Sequence, residues 1–302
     1  MQRNITVLTL AMCAALASAP LFAATPIDET RALDSHGSIS IDNLKGRIQV
    51  RAWDRNEVRI TGTLGDGVEK LVVDGNGRQL EVKVQYPRQI GAWRSDRTGP
   101  TDLRLMVPLQ ANLEIESVSA DIDVDGVAPG ELEIDTVSGN VTVAAAPRRA
   151  EVESVSGDLR LTLNTAKARS ESVSGDVRLS GRLVGEVHAE TVSGDIHVDS
   201  RGERLKRLST GTVSGDADLR VALAPGAQVR AETVSGDVRL RLPKDTSARL
   251  EGETFSGDLR APAARIHREE FGPGATISAR YGSGSGEIRL ESFSGDAEVV
   301  LE

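Results

Sequence analysis

A recurring aspartate is the first feature of this sequence that could carry chemistry. It ends a Val-Ser-Gly-Asp motif whose copies start 18–21 residues apart over the regular part of the chain. Carboxylate oxygens are ligands that Ca²⁺ prefers, so a calcium-stabilised solenoid is one interpretation. The other is that each carboxylate accepts backbone N–H groups at a bend. Asn140 replaces one aspartate and keeps the acceptor oxygen without the charge. This favours the second interpretation, in which no cofactor is bound. The aspartates are Asp121, Asp158, Asp176, Asp195, Asp216, Asp237, Asp258 and Asp296.

The histidines do not complete an evident catalytic or metal site. Ser193, Asp195 and His197 have the residue types of a hydrolase triad, but Ser and Asp recur in every copy and His does not. His188 and His197 lack a third metal ligand at an evident spacing. A polysaccharide-acting β-helix enzyme is the catalytic alternative, and it needs an acid/base pair in a cleft. Acids spread evenly by a repeat, with 3% aromatic residues, predict that the chain is not an enzyme.

The residues around each motif predict two strands joined by a bend. Apolar and polar residues alternate before it, as in Leu132–Thr136, and after it, as in Leu159–Leu161. Glycine in the motif permits a bend with positive φ. A repeat of 18–21 residues is typical of one solenoid coil. The sequence therefore predicts an all-β fold, a β-solenoid of right-handed parallel coils.

Stacked coils would align equivalent side chains in columns. The residue before each motif valine is a small hydroxyl that should point inward, and these are Ser117, Thr136, Ser154, Ser172, Thr191, Thr212, Thr233 and Thr254. Two residues before the valine stands an acid that should face solvent, at Glu116, Asp135, Glu153, Glu171, Glu190, Glu232 and Glu253. Basic residues often follow the aspartate, at Arg160, Arg178, His197, Arg239 and Arg260. The charges form either a ligand face for a glycan or protein or, as we favour, a solvated face that blocks aggregation.

The chain divides into three regions. Residues 1–24 hold an apolar run, 5–16, and small residues at its end, which predicts a cleaved signal peptide. Residues 25–110 predict a β-rich N-terminal cap and the first coils, and residues 111–302 the repeat solenoid, with an interrupting loop at 261–284. Loss of Arg3 with the signal peptide takes the net charge from −9 to −10, which argues against nucleic acid as a partner. No other apolar run is long enough to span a membrane.

The repeats resemble those of a bacterial putative-adhesin family. The resemblance includes the nine motif copies, the opening Gly37–Ile41 and Leu105–Pro108, and it covers roughly residues 34–302. The family is a domain of unknown function in exported and cell-envelope proteins, marked by Ser-Gly-Asp within β-solenoid turns. The resemblance implies this fold and an exported location, in the periplasm or at the cell envelope or surface. It transfers no catalytic residue.

These features together predict a non-catalytic exported envelope protein that serves as a structural or adhesin-like interaction module. The partner would be an envelope protein or a glycan. Trp93, in the polar segment 89–100, is the single contact residue that the sequence suggests. Self-association through end coils is a further expectation, because Val299–Leu301 finishes the chain without an obvious cap.

Overall fold

The computed structural model describes residues 25–87, 98–268 and 273–302, and these ranges fold into strands without a helix. The predicted signal peptide, 1–24, and the predicted contact Trp93 lie outside the described residues. Six strands precede the regular repeat: β1 (Thr25–Ala32), β2 (Ser38–Trp53), β3 (Glu57–Leu64), β4 (Lys70–Gly75), β5 (Gln79–Gln85) and β6 (Thr101–Pro108).

The remaining strands carry the motif copies and the segment that interrupts them. In the regular zone they are β7 (Asn112–Asp125), β8 (Glu131–Ser138), β9 (Val141–Ala145), β10 (Arg149–Ser156), β11 (Leu159–Leu163), β12 (Thr165–Ser174), β13 (Val177–Ser180), β14 (Leu183–Ser193), β15 (Ile196–Ser214), β16 (Ala217–Ser235) and β17 (Val238–Leu242). The C-terminal strands are β18 (Ala248–Ser256), β19 (Leu259–Arg260), β20 (Arg265–Arg268), β21 (Ala275–Tyr281), β22 (Gly286–Ser294) and β23 (Ala297–Leu301).

Two parallel ladders run through the molecule, one on each side of the motif bends. Segments before the motif pair in the order β7, β8, β10, β12, β14, β15 and β16. Segments after it pair in the order β7, β9, β11, β13, β15, β16 and β17. Equivalent motif residues stand opposite each other, as Ser156 does between Ser138 and Ser174. The coils therefore stack as a β-solenoid, as the sequence predicts; the right-handed winding stays a prediction.

The core is a thin aliphatic column between the two ladders. Alternate residues such as Ile134, Val152 and Leu159 are fully buried, and the whole column of small hydroxyls is buried beside them. Several of these hydroxyls donate to carbonyls of bend glycines and not to one another: Thr191 donates to Gly175 at 3.2 Å, and Thr212 to Gly194 at 3.4 Å. Among the described residues, the hydroxyls of Ser154, Ser172 and Thr233 have no hydrogen-bond partner. The inward ladder is thus confirmed, but its hydrogen bonds fasten the bends.

The C-terminal coils do not stack in sequence order, contrary to expectation. β22 lies between β16 and β18, and β23 lies between β17 and β19. The segment 261–284, expected as an interrupting loop, contains β20 and β21, and β21 pairs antiparallel with both β18 and β20. Val299–Leu301 consequently pairs with β17 on one side, while β19 reaches only Ala297 and Glu298 on the other. Self-association through the end coils stays a prediction. The motif repeat does not predict this order, because every coil offers the same hydrogen-bonding register to any neighbour.

The N-terminal strands extend both ladders. β2 runs through a bend and pairs with β7 on one side, while β5 and β6 pair with its two halves on the other. β4 continues from β5 in antiparallel orientation, and β3 and β1 continue in the same way from β6. A covering role for this region, as a cap, stays a prediction. In the described ranges, no helix has the length and apolar character needed to cross a membrane.

Paired cysteines test the order of the C-terminal coils. Arg230 stands opposite Arg289 in the structure, whereas stacking in sequence order would place it opposite Glu251. In a chain that starts after residue 24, R230C/R289C should form a disulfide, since neighbouring strands lie about 4.8 Å apart. R230C/E251C spans two steps, about 9.6 Å, and should stay reduced. Mass spectrometry after mild oxidation distinguishes them, and the reverse result would restore the sequential order.

Candidate functional site

The motif bends are held by a continuous chain of carboxylates and backbone N–H groups. Oδ1 of Asp176 accepts the N–H of Asp195 at 3.0 Å, while the N–H of Asp176 binds Oδ1 of Asp158 at 3.2 Å. Asn140 continues the series, since its Oδ1 accepts the N–H of Asp158 at 3.3 Å. The N–H of Asp195, followed by the Arg178 side chain, lowers the pKa of Asp176. The structure thus confirms the backbone-acceptor role.

The bends of the later motif copies require their glycine, whereas the first copy has Ala120 at this place. Gly175 and Gly194 have φ of +155° and +152°, where side chains other than glycine are strained. A Cβ on Gly194 would lie 2.3 Å from the carbonyl oxygen of Gly175, in the coil before it. The coils consequently approach each other more closely at the bend than any side chain allows.

The first residue of each motif points outward, and this forms an exposed apolar ladder. These side chains are 45–57% exposed. In spatial order the apolar ladder consists of Val118, Val137, Val155, Val173, Val192, Val213, Val234, Phe293 and Phe255. The two phenylalanine rings stack with centroids 4.9 Å apart and planes 5° from parallel. The alternation of the sequence already implied this outward face, since the neighbouring hydroxyl column points inward.

A second ladder, of acids, runs parallel to the first. It contains the predicted column and two acids that the motif spacing did not indicate, Asp42 and Glu291. Asp42 precedes no Val-Ser-Gly-Asp copy, and Glu291 belongs to the displaced coil. In spatial order the acid ladder is Asp42, Glu116, Asp135, Glu153, Glu171, Glu190, Glu232, Glu291 and Glu253, with Gly211 as a gap before Glu232.

The two ladders are the walls of one long groove. Its floor is the column of buried hydroxyls, and its volume is about 1230 Å³. At the C-terminal end the lining continues onto residues 274–276 at the start of β21. The groove runs across the coils, so it lies perpendicular to the strands. A ligand in it would contact one apolar and one acidic side chain in nearly every coil.

Negative charge is concentrated where β7, β8 and β10 lie side by side. Each of these strands carries a second outward acid, at Glu114, Glu133 and Glu151, two residues before the acid ladder. Burial, followed by the charges of Glu153 and Glu133, raises the pKa of Asp135 to about 6. Among the described residues, no Lys or Arg nitrogen lies within 4 Å of a Glu133 or Asp135 carboxylate. This part of the groove therefore holds uncompensated charge.

The structure brings His188 to two carboxylates from separate positions. Nε2 of His188 lies 3.2 Å from an oxygen of Glu171, in the neighbouring coil, and 3.2 Å from one of Glu190. Their ligand atoms lie within 4.8 Å of one another, the range of a metal site. Glu171 comes from another coil, so no spacing in the sequence indicated this group, and His197 is not part of it. Arg169 also pairs with Glu171 and would compete with a cation.

The imagined Ser/His/Asp triad is not assembled. Nδ1 of His197 lies 3.7 Å from Asp218 of the next coil, while Oδ1 of Asp195 accepts the backbone N–H of Asp216. Ser193 is a bend residue like its equivalents, and its carbonyl accepts the N–H of Gly175. The three residues therefore pair with residues of adjacent coils and not with one another.

This architecture defines a class of protein: a β-solenoid whose coils turn at Ser-Gly-Asp and whose repeats line a lengthwise groove. Two overlapping matches to the family model described as Toastrack DUF4097 cover residues 36–233 and 208–300. The chain belongs to this family, a domain of unknown function. The search of curated proteins found no significant match.

Several solved structures are similar over most of the chain. A putative adhesin from Parabacteroides distasonis is 12% identical, with 91% of this chain and 97% of that chain covered and a TM-score of 0.47. A putative lipid binding protein from the same species is 12% identical, with 91% and 96% covered and a TM-score of 0.40. A putative adhesin from Bacteroides fragilis is 9% identical, with 91% and 97% covered and a TM-score of 0.38. Family membership rests on the family model alone.

Replacing a bend glycine should lower the free energy of unfolding far more than replacing a glycine that also has positive φ but has free space around it. Gly175→Ala places a methyl group 2.2 Å from the carbonyl oxygen of Gly157 and should lower the free energy of unfolding by at least about 3 kcal/mol. Gly202→Ala, at φ +83° with nothing within 4 Å, should cost only about 1–2 kcal/mol. Urea unfolding measures both, and equal costs would contradict the close stacking of bends.

The raised pKa of Asp135 predicts how stability changes with pH. Between the unfolded value of 3.8 and about 6, the folded chain retains a proton that the unfolded chain releases. The carboxyl therefore opposes folding increasingly as pH rises through this window. Asp135→Asn should raise the free energy of unfolding at about pH 7, by about 1 kcal/mol after allowance for solvent screening, and change little below about pH 4. Glu186→Gln, an exposed acid outside the groove, is the control; a Glu186→Gln gain of the same size and pH profile would refute the assignment.

Proposed function

We propose that this chain is a non-catalytic, exported envelope protein that acts as an adhesin-like interaction module and holds its partner in the groove. The single observation that carries the proposal is the continuous exposed apolar ladder on the groove wall. Exposed apolar residues scattered singly are ordinary, but a contiguous apolar surface rimmed by polar residues is typical of an interaction site. The predicted signal peptide supports export.

The repetition of the groove supports binding more than catalysis. A catalytic site sets one acid/base pair apart from all others. Here the acids recur coil after coil, and the burial and repeated neighbours of Asp135 account for its raised pKa. The same repetition suits a long ligand that makes many equivalent contacts. Among the groove residues that the structure describes, only Phe255 and Phe293 offer rings for stacking on sugars, which favours an envelope protein over a glycan.

Site-specific photo-crosslinking tests this function. A benzoylphenylalanine at position 155, in the apolar ladder, should give a discrete adduct with an envelope protein in whole cells. The same residue at position 160, outward on the other ladder of strands, is the control and should not. Val137→Ser/Val173→Ser, which removes the apolar neighbours of position 155, should reduce the adduct severalfold.

Equal adducts from positions 155 and 160, or no adduct from position 155, would contradict a partner in the groove. Hydrolysis of a polysaccharide or of peptidoglycan that is lost in Asp135→Asn would replace the proposal with an enzymatic function.

A further inference from the structure

The walls of the groove differ in chemistry, and this restricts the partner. One wall is apolar from Val118 to Phe255, and the other is acidic from Asp42 to Glu253. Both run the length of the stack, with a spacing of about 4.8 Å between coils. A matching ligand must therefore present an apolar edge and a cationic edge side by side, over about 38 Å for the eight steps of the apolar ladder.

The acidic wall is incompletely neutralised by the chain itself. Lys83 pairs with Asp42 at one end, and Arg230 and Arg289 pair with Glu291 at the other. Between them, no Lys or Arg nitrogen of the described residues lies within 4 Å of Glu116, Asp135 or Glu153. Cations from a partner would meet the largest unpaired charge at these three residues. Burial, followed by the charges of neighbouring acids, raises the pKa of Asp135.

The backbone of the groove is already fully engaged, which decides the conformation of a peptide ligand. The groove crosses the strands, whose N–H and C=O groups are paired with neighbouring coils. An extended peptide lying along the groove would bury its own backbone groups without partners, at a cost. An α-helix satisfies its backbone internally, and its pitch of about 5.4 Å is closer to the coil spacing than the repeat of about 6.6 Å in an extended chain.

From these observations, and resting on the proposed function, we infer that the groove binds an amphipathic basic α-helix. The helix lies along the solenoid axis, with its apolar stripe on the valines and phenylalanines and its Lys or Arg residues against the acid ladder. A groove of about 38 Å accommodates about 25 helical residues. An anionic lipid or a nucleic acid would be repelled by the acidic wall, and the groove of a second copy would oppose acid with acid.

Synthetic helices test the chemistry of the partner without altering the protein. The probe is a fluorescent peptide of about 25 leucines and lysines, with the leucines at positions i, i+3, i+4 and i+7. It should bind and gain helical circular dichroism. A scrambled peptide of the same composition, which has no apolar stripe, should bind at least tenfold more weakly. A peptide with glutamate in place of lysine should not bind.

Protein variants locate the binding site. Glu116→Gln/Asp135→Asn/Glu153→Gln should weaken binding of the leucine–lysine peptide at least tenfold and reduce its salt dependence. Glu186→Gln/Glu203→Gln/Asp245→Asn removes the same charge outside the groove and should leave affinity within about twofold. Val137→Ser/Val155→Ser/Val173→Ser should weaken binding at least tenfold while the salt dependence is retained. Thermal melts verify that each variant is folded.

Three results would overturn the inference. Equal affinity for the ordered and scrambled peptides would mean that the groove only attracts a polycation. Equal losses of affinity in the two triple variants that remove acids would place the binding site outside the groove. Absence of peptide binding would exclude the helix. In the last case an adduct from position 155 keeps the proposed function, whereas failure of that adduct removes both. Binding of phosphatidylglycerol vesicles through the groove, or dimerisation lost in the valine triple, would substitute another occupant.

Discussion

The close stacking of one bend on the next is the constraint on which the structure depends. Glycine with positive φ lets the backbone of one coil approach the carbonyl of the coil before it, as Gly194 approaches Gly175. The carboxylate of each motif then accepts the N–H of the equivalent residue in the adjacent coil. Because both contacts join equivalent residues, each coil is held in register with its neighbour. A shift of one residue would break both contacts and turn the apolar side chains outward.

Fixed register is also what creates the groove. Inward hydroxyls alternate with an outward acid on one side and an outward valine on the other, so three adjacent residues contribute floor and walls. The bend residues and several of the hydroxyls form hydrogen bonds that join the coils, whereas the outward valine side chains cannot form hydrogen bonds. Val155 and its equivalents remain half-exposed although their neighbours are buried, which suits a surface retained for a partner.

Placement of the last coil inside the stack changes the character of the groove at one end. Phe255 and Phe293 are 38 residues apart in sequence, yet their rings stack because β22 lies directly against β18. The uncompensated acids lie toward the other end, around Asp135. The two ends of the groove therefore differ: the largest apolar side chains lie at one end, and the strongest negative charge lies toward the other. A helix with the matching asymmetry would bind in one direction.

Much of this molecule was determined by its sequence alone. Alternation of period two around the motif specified the strands, the inward hydroxyls and the acid column, and the spacing of copies specified coils; local sterics and side-chain direction decide such features. The acceptor role of the aspartates followed from Asn140 for the same local reason.

Only the tertiary structure decided which coil lies against which. Identical coils accept any neighbour, so the insertion of β22 and the strands within 261–284 were not predictable from the repeat. The meeting of Glu171 with His188 and the crowding around Asp135 depend on residues of adjacent coils. Such contacts between coils arise from packing in space, which no single repeat encodes.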